Sequence, residues 1–352
     1  MIAVVTFTDN ARMIAKKISE NLENQFNIYD KTKSELKDFV RSSFYSDDAI
    51  IFICASGIAI RLIAPYVSRK DKDPAVVLVD ELGRYAISLL SGHLGGANEL
   101  TQDVAKALGA TPIITTATDL NNVFSVDTWA KENNCEIEDI SKIKHISSAI
   151  LRGERVAISS DFDVDGGLLD CLVWGETYDE FPDLIECEVK EDDNEKGSSH
   201  NENGIVISLD EKKKNSLNTI NLIPKLITLG VGCRRGVSSV DFEEYILGVL
   251  KQNNISIRAV KDICSIELKK DEKCIVDFSE KYSIKFKTFC AKALNEVEGE
   301  FSSSAFVKST TGVDNICERS AMCEGEKELL LKKQSNNGMT IALAKTKWRV
   351  KF

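Results

Sequence analysis

The most constraining feature of this chain is a series of three apolar, strand-like segments, each of which ends in a turn rich in Gly, Ser, Thr and Asn. In an open α/β sheet, ligands bind beyond the carboxyl ends of the strands, next to the helices that follow. The series therefore predicts an α/β fold with a single polar, glycine-lined site. The segments and turns are residues 52–55 before Ser56-Gly57, residues 86–90 before residues 91–98, and residues 112–114 before residues 115–119.

The chain is long enough, at 352 residues, for two or three domains with separate cores. Strand and helix patterns alternate through residues 1–121, which predicts an N-terminal α/β domain with a mostly parallel sheet. Residues 122–223 are more polar and predict a less regular middle region. Residues 224–352 predict a second, small α/β domain at the C-terminus.

Local patterns in the last two regions predict a few specific elements. In the middle region we expect a helix at residues 142–152, a strand at residues 156–159 and a charged, solvated loop at residues 190–204. In the C-terminal region, Ser238 is expected to begin a helix as its N-cap. Asn336-Asn337-Gly338 predicts a β-hairpin.

Composition argues against several classes of protein. The net charge of −10 argues against general nucleic-acid binding, which needs a basic face, although local Arg and Lys clusters can still bind an anionic small molecule. No apolar run approaches the roughly 20 residues needed to span a bilayer. The first residues enter a strand without a basic or signal-like segment ahead of it. We therefore expect a cytoplasmic protein without a membrane partner.

The ten cysteines are expected to be thiols. Cys54, Cys264 and Cys290 lie in or beside apolar segments, where a free cysteine behaves as a small hydrophobe. No CxxC motif occurs, and Cys317 and Cys323 are six residues apart with no histidine nearby. A structural zinc site is therefore not expected.

His93 is the only histidine in a glycine-rich turn. Gly92, Gly95 and Gly96 would allow a ligand to approach the main chain closely. His93 could then serve as a general base or as a ligand to a metal carried by the substrate; a hydrogen bond to the loop backbone is the structural alternative. Ser91 is a second catalytic candidate, although the Gly-x-Ser-x-Gly elbow is absent, and it could equally cap a helix or bind a ligand.

Asp119 is the third catalytic candidate. With Thr115 and Thr116 it follows the third apolar segment, so all three are expected at the same sheet edge as His93, where they could orient its ring. Two further strands are expected on either side of a turn at residues 80–83. The second of these strands spans roughly 20 Å and leads to His93, so the turn lies at the opposite end of that strand from His93. We interpret the acidic residues of this turn as structural.

Arg234-Arg235 lies between two glycines where a strand meets a helix. A helix N-terminus with two guanidinium groups favours a carboxylate or phosphate ligand, and an ordinary solvated surface is the alternative. Arg61 belongs to a comparable basic group in the first domain. The candidate substrate-binding residues are Ser56, Gly57, Arg61, Gly92, Gly95, Gly96, Asn98, Thr115, Thr116, Gly232, Arg234 and Arg235.

These motifs resemble the CbiG family, the cobalt-precorrin-5A hydrolases of the anaerobic cobalamin pathway. The resemblance extends over nearly the whole chain, with its most specific motifs in the N-terminal domain. The C-terminal region resembles a domain whose relatives also occur alone in the aerobic pathway. The residues that carry the resemblance are 57–65, 73–77, 88–100, 109–119, 230–236, 265–272 and 309–313.

The resemblance implies an enzyme that opens the δ-lactone of cobalt-precorrin-5A and releases acetaldehyde to give cobalt-precorrin-5B. The substrate is a flat polycarboxylate that carries its own cobalt, so no cofactor and no protein-bound metal are expected. His93, or a water that it holds, would attack the lactone, with N–H groups near Gly95-Gly96 stabilising the oxyanion. Arg234-Arg235 would hold peripheral carboxylates across an interdomain cleft.

A non-catalytic carrier of cobalt-precorrin intermediates is the alternative function, since relatives of the C-terminal domain occur alone. Sequence patterns leave open whether the cleft forms within one chain or across a homodimer. Transient contacts with other enzymes of the pathway are also compatible with either function.

Overall fold

The computed structural model describes residues 1–30, 35–69, 72–93, 95–120, 123–177 and 202–352. They form two compact units, Met1–Thr128 and Trp129–Phe352. No helix in these ranges is both long and apolar enough to cross a membrane. Of the solvated loop predicted at residues 190–204, residues 190–201 lie outside the described residues. Asn203 and Gly204 begin a strand, so the prediction is wrong at its end.

The first unit is built on one six-stranded sheet. Its strands are β1 (Ile2–Thr6), β2 (Phe26–Ile28), β3 (Ala49–Ile53), β4 (Ala75–Val79), β5 (Tyr85–Leu90) and β6 (Thr111–Ile113), in the order β2-β1-β3-β4-β5-β6. β1 to β4 are parallel, β5 is antiparallel to β4, and β6 is parallel to β5. The predicted, mostly parallel sheet is confirmed, with one reversal at the β4-β5 hairpin.

Helices cover both faces of this sheet. They are α1 (Asp9–Asn21), α2 (Leu36–Ser46), α3 (Ser56–Ile63), α4 (Ala97–Leu108) and α5 (Ala117–Leu120), followed by α6 (Val126–Glu132), which contains the boundary of the unit. Side chains of α1 and α4 share one buried apolar cluster with the sheet, and those of α2 and α3 share another. β1, β3 and β4 are therefore buried throughout, which explains their continuous apolar sequences.

The reversal at β5 decides which loops share an edge of the sheet. Because β4 and β5 form a hairpin around residues 80–83, the carboxyl end of β5 lies beside the start of β4. The Ser91 hydroxyl accordingly donates to the carbonyl of Asp73, just before β4, at 2.9 Å. Ser56-Gly57 follow β3 and lie at the opposite edge, about 16 Å away along a five-residue strand. The prediction that all three turns form one site is wrong for Ser56-Gly57.

The second unit contains a five-stranded sheet in the middle region. Its elements are β7 (Cys135–Ile137), α7 (Ile143–Leu151), β8 (Val156–Ser160), β10 (Leu172–Trp174), β11 (Asn203–Ile207) and β12 (Asn218–Pro224), with β9 (Val164–Asp165) beside it in sequence. The strand order is β10-β8-β11-β12-β7, parallel except for the β12-β7 pair. The predicted helix and strand, α7 and β8, are confirmed, whereas the patterns did not identify β11 and β12.

The C-terminal sheet of this unit has the order β15-β14-β13-β17-β16. β13, β14 and β15 are parallel, and the hairpin β16-β17 joins β13 in the antiparallel direction. The elements are β13 (Ile227–Cys233), α8 (Ser239–Gln252), β14 (Val260–Ile266), α9 (Lys273–Lys281), β15 (Lys285–Phe289), α10 (Ala291–Glu296), α11 (Ala305–Thr311), α12 (Ile316–Met322), β16 (Lys327–Asn336), β17 (Met339–Thr346) and β18 (Val350–Lys351), which pairs with β9.

Two local predictions in this sheet are confirmed. Ser238 caps α8, because its Oγ accepts from the N–H groups of Val240 and Asp241. Asn337 and Gly338 have φ angles of 46° and 83°. Both values lie in the left-handed region that a two-residue hairpin turn requires.

Candidate functional site

The loop between β5 and α4 is closed by its own backbone hydrogen bonds. The N–H of Ala97, at the start of α4, donates to the carbonyl of Ser91 at 3.1 Å. The N–H of Gly96 donates to the carbonyl of His93 at 3.0 Å. The N–H of Gly96 is thus used within the loop, and the prediction that it stabilises an oxyanion is not supported by this geometry.

The glycines of this loop are required by its packing. A Cβ atom on Gly95 would lie 2.4 Å from the Cβ of Ser91, and one on Gly92 would lie 2.8 Å from Oδ1 of Asn98. Gly96 has a φ of 82°, in the left-handed region that favours glycine. Internal packing and backbone conformation therefore account for the glycines without a ligand close to the main chain.

Asn98 joins the loop to the turn after β6. Its Oδ1 accepts from the Ser88 hydroxyl at 2.6 Å, and its Nδ2 donates to Oγ1 of Thr116 at 2.9 Å. The second and third glycine- and threonine-rich turns therefore meet, as predicted. Thr115 is exposed beside Thr116, and Asp119 lies in α5, although its side chain is outside the described part of the structure.

His93 belongs to a directional chain of hydrogen bonds. The Asp127 carboxylate can only accept, so the Ser125 hydroxyl donates to it at 2.6 Å. Thr128 donates in turn to Ser125 at 3.0 Å, so its Oγ1 must accept from His93 Nδ1, which lies 3.0 Å away. The chain places the proton of a neutral His93 on Nδ1, so Nε2 is the unprotonated nitrogen of that tautomer.

Ser125, Asp127 and Thr128 were missed because the first domain was predicted to end at residue 121. The signal was available, since Ser125-Val126-Asp127-Thr128 is a polar sequence of the kind that begins helices, and it opens α6. In the structure the side chain of Asp127 is buried, whereas those of His93 and Thr128 are partly exposed. This arrangement puts a buried carboxylate behind an accessible imidazole.

The other candidate site residues of the first unit either have a structural role or lie away from His93. Ser91 is buried, has a φ of 58° and donates its hydroxyl proton to the Asp73 carbonyl, which gives it a structural position. Arg61 in α3 donates from Nη1 to the carbonyl of Gly57 at 3.1 Å. Ser56, Gly57 and Arg61 thus form a separate group, which lies at the opposite ends of the strands from the β5-α4 loop.

The second unit contains a cavity of about 520 Å³ at the carboxyl ends of β13 and β14. The tip of the β16-β17 hairpin closes one side of it, because β17 runs antiparallel to β13. Four cationic side chains and a mainly apolar wall define its chemistry. The lining comprises Gly232, Cys233, Arg234, Arg235, Ile266, Leu268, Lys269, Val307, Thr310, Thr311, Ile316, Cys317, Lys333, Gly338 and Thr340.

The hairpin tip positions the arginine pair of this cavity. The N–H of Arg234 donates to the carbonyl of Gly338 at 2.9 Å, and a Cβ on Gly338 would come within 2.7 Å of the Arg234 side chain. Thr340 donates from Oγ1 to the carbonyl of Gly232 at 3.2 Å. The predicted residues Gly232, Arg234 and Arg235 are thus brought together on one wall.

Comparison with known proteins finds similarity over most of the chain. Residues 38–119 match the model of the cobalamin synthesis G N-terminal family, residues 124–224 match the cobalamin biosynthesis central region, and residues 227–344 match the cobalamin synthesis G C-terminus. A cobalt-precorrin-5A hydrolase of Salmonella typhimurium is 34% identical over 310 residues, covering 86% of this chain and 83% of that protein. A cobalt-precorrin-5A hydrolase of Priestia megaterium is 31% identical over 361 residues, covering 97% and 94%.

Two solved structures of cobalamin biosynthesis proteins are also similar to this chain, at lower sequence identity. A cobalamin biosynthesis protein G homologue from Sulfolobus solfataricus has 22% identity and a TM-score of 0.40, covering 98% of this chain and 97% of that one. CobE, a protein of the cobalamin pathway, covers 36% of this chain at 26% identity and a TM-score of 0.34. The fold and the sequence matches together define an α/β protein of cobalamin biosynthesis. Specifically, the chain belongs to the CbiG family, and the resemblance inferred from the motifs is confirmed.

Proposed function

We propose that this protein hydrolyses cobalt-precorrin-5A, opening its δ-lactone and releasing acetaldehyde to give cobalt-precorrin-5B. The observation that carries the proposal is the hydrogen-bond chain from Asp127 to Nδ1 of His93, which makes Nε2 the unprotonated nitrogen of a neutral imidazole. An imidazole held in one tautomer by a fixed hydrogen bond is suited to act as a general base. The names of the curated relatives support the same substrate.

In the proposed reaction, Nε2 of His93 removes a proton from a water molecule as the water oxygen adds to the lactone carbonyl. The ring C–O bond then breaks, which yields a carboxylate and an alcohol on the two-carbon bridge. Loss of the alcohol proton and cleavage of the adjacent C–C bond release acetaldehyde, and the macrocycle takes up the proton. This hydrolytic chemistry uses side chains and water, with cobalt carried by the substrate.

The cavity of the second unit supports binding of the same substrate. Arg234, Arg235, Lys269 and Lys333 line it together, and each can donate charge-assisted hydrogen bonds to a carboxylate. The apolar wall suits the face of a macrocycle, and a volume of about 520 Å³ is within the usual range for a small-molecule site. We propose that this cavity holds part of the macrocycle and its peripheral carboxylates.

The test is incubation of the purified protein with cobalt-precorrin-5A, with acetaldehyde measured by a coupled alcohol dehydrogenase. The proposal predicts one acetaldehyde per substrate over many turnovers, and a corrinoid product lighter by the two-carbon bridge. Tight binding of the substrate without acetaldehyde would contradict the proposal and favour a carrier. Heat-denatured protein is the control for spontaneous lactone opening.

A further inference from the structure

A compact group of three potential metal ligands lies at the carboxyl edge of the C-terminal sheet. Cys233 ends β13, Glu272 precedes α9, and Cys274 lies in the first turn of α9. One donor atom from each residue lies within 4.8 Å of the other two. Among the described residues, this group contrasts with the expectation that the protein has no metal site.

We propose that Cys233, Glu272 and Cys274 bind a thiophilic metal ion of the Zn²⁺ class. The two Sγ atoms are 3.7 Å apart. Two sulfurs bound at about 2.3 Å to one tetrahedral zinc ion are separated by about 3.8 Å. The thiol pair therefore already has the spacing of two ligands of one ion, and it is much wider than the roughly 2.05 Å of a disulfide.

Neighbouring groups orient the carboxylate of this site. Oε1 of Glu272 accepts from the N–H of Gly236 at 3.2 Å, and Oε2 accepts from Nζ of Lys269 at 2.8 Å. Hydrogen bonds of this kind fix a ligand before the metal arrives and strengthen its binding. Each carboxylate oxygen keeps a second lone pair for the ion. The two thiols and one ordered carboxylate form a donor set suited to zinc.

The location of Cys233 gives the site an access route and a fourth coordination position. Cys233 is half-buried and lines the cationic cavity, whereas Cys274 is buried and is not part of the cavity lining. Three protein ligands and one open position are typical of reactive rather than purely structural zinc sites. The fourth position would accept a water molecule or a carboxylate of a molecule in the cavity. This role is additional to the hydrolysis proposed for the first unit.

The experiment is a titration of the reduced, full-length protein, first stripped with a chelator, with Zn²⁺ against a competing chelator. We expect one equivalent of tight binding, and Co²⁺ in place of Zn²⁺ should give thiolate-to-cobalt charge-transfer absorption. Cys233→Ser and Cys274→Ser each remove a thiolate ligand and should weaken binding by at least about 100-fold, the upper end of the cost of losing only a residue that hydrogen-bonds a ligand. Glu272→Gln should weaken it by about 10-fold or more. Cys290→Ser is the matched control, because Cys290 is exposed and outside the group, and it should bind normally.

Alkylation of the protein without any substitution provides a second test, whose result does not depend on whether a variant folds. Zn²⁺ should protect Cys233 from iodoacetamide in a peptide map, while Cys290 stays reactive. Melting curves in chelator check that each variant is folded. The proposal is overturned if the reduced protein binds no stoichiometric Zn²⁺, if both folded cysteine variants bind it as tightly as the unmodified chain, or if Zn²⁺ leaves the alkylation of Cys233 unchanged.

Discussion

His93 depends on a chain of hydroxyl groups for its tautomer. In a serine-protease triad a carboxylate holds the catalytic imidazole in the required tautomer and orientation. Here Thr128 and Ser125 transmit the preference of the buried Asp127 carboxylate to Nδ1. Thr128 is therefore expected to act as a positioning residue, which affects the rate through His93 and not through contact with the lactone.

Thr128→Val removes this hydroxyl while keeping the shape of the side chain. Nδ1 then loses an acceptor, both tautomers become accessible, and we expect kcat to fall by about 10- to 100-fold with little change in KM. The pH at which the rate is half-maximal should also move. Thr128→Ser keeps the hydroxyl and should retain most of the activity. If the valine variant has the rate and pH profile of the unmodified enzyme, the chain does not control His93.

The glycines of the β5-α4 loop are required by contacts within the loop, whereas the sequence pattern predicts room for a ligand. The sequence indicated that Gly92, Gly95 and Gly96 surround a site, and the loop does contain His93. The glycines are nevertheless explained by contacts with Ser91 and Asn98 within the loop and by a left-handed φ. These contacts depend on the folded positions of side chains that a one-dimensional pattern does not contain.

The antiparallel direction of β5 is the reason why the three predicted turns do not form one site. The sequence predicted strands on both sides of residues 80–83, and a short turn between strands produces an antiparallel hairpin. The hairpin moves the end of β5 to the edge opposite Ser56-Gly57. The buried strands β1, β3 and β4 could be predicted because their apolar runs are continuous. β11 and β12 were missed although Ile205-Val206-Ile207 and Leu222-Ile223 are apolar and buried, because the segments around them are polar.

The contact between β13 and α12 makes a prediction about Gly230. A Cβ at Gly230 would lie 1.8 Å from the carbonyl oxygen of Cys317, so the helix would have to move away from the strand. We expect Gly230→Ala to lower the free energy of unfolding by about 3 kcal/mol in denaturant titrations.

Gly248→Ala is the matched control for this change. Gly248 lies within α8, and its added Cβ would meet nothing within 4 Å. The alanine should therefore stabilise the helix by up to about 1 kcal/mol. Equal stability of the two variants would contradict the close packing of α12 on Gly230.

Glu318 makes the stability of the same helix dependent on pH. Burial raises the pKa of Glu318, but hydrogen bonds from Ser302 and from the N–H of Lys333 outweigh it and hold the pKa below its ordinary value. A carboxyl with a lowered folded-state pKa stabilises the fold above its unfolded pKa of about 4.3, and this contribution is lost as the pH falls through the folded value.

Glu318→Gln should therefore be less stable than the unmodified protein at pH 7, and the difference should shrink below about pH 4. Urea titrations across this pH range provide the measurement. A stability difference that stays constant down to the acid transition would show that ionised Glu318 does not contribute in this way.

The charge of the cavity in the second unit is opposite in sign to the net charge of the whole molecule. The chain carries a net charge of −10, yet four cationic side chains line the cavity of the second unit. The Arg234-Arg235 motif could be identified from sequence because its members are adjacent. Lys269 and Lys333 come from distant segments, as do Cys233 and Cys274, so only the fold could reveal that they lie together.

Removal of the arginine pair tests the role of this cavity. Arg234→Ala combined with Arg235→Ala should weaken binding of the substrate by a few kcal/mol at most, because charge-assisted hydrogen bonds to its carboxylates are lost. Binding should also become less sensitive to salt, because screened charge interactions are removed. Titrations at low and high salt measure both effects. Normal affinity of the double variant at low salt would contradict carboxylate binding by the pair.

The most direct test of the central claim is the rate of acetaldehyde release by His93→Asn at saturating cobalt-precorrin-5A. Asparagine can keep a hydrogen bond to Thr128 but cannot act as a base, so the variant should fold and bind substrate normally. We predict that its turnover falls by roughly 10²–10⁴-fold. His145→Asn is the matched control, since His145 is exposed on α7, and should retain full activity. Full activity in folded His93→Asn would show that His93 is not the base of this reaction.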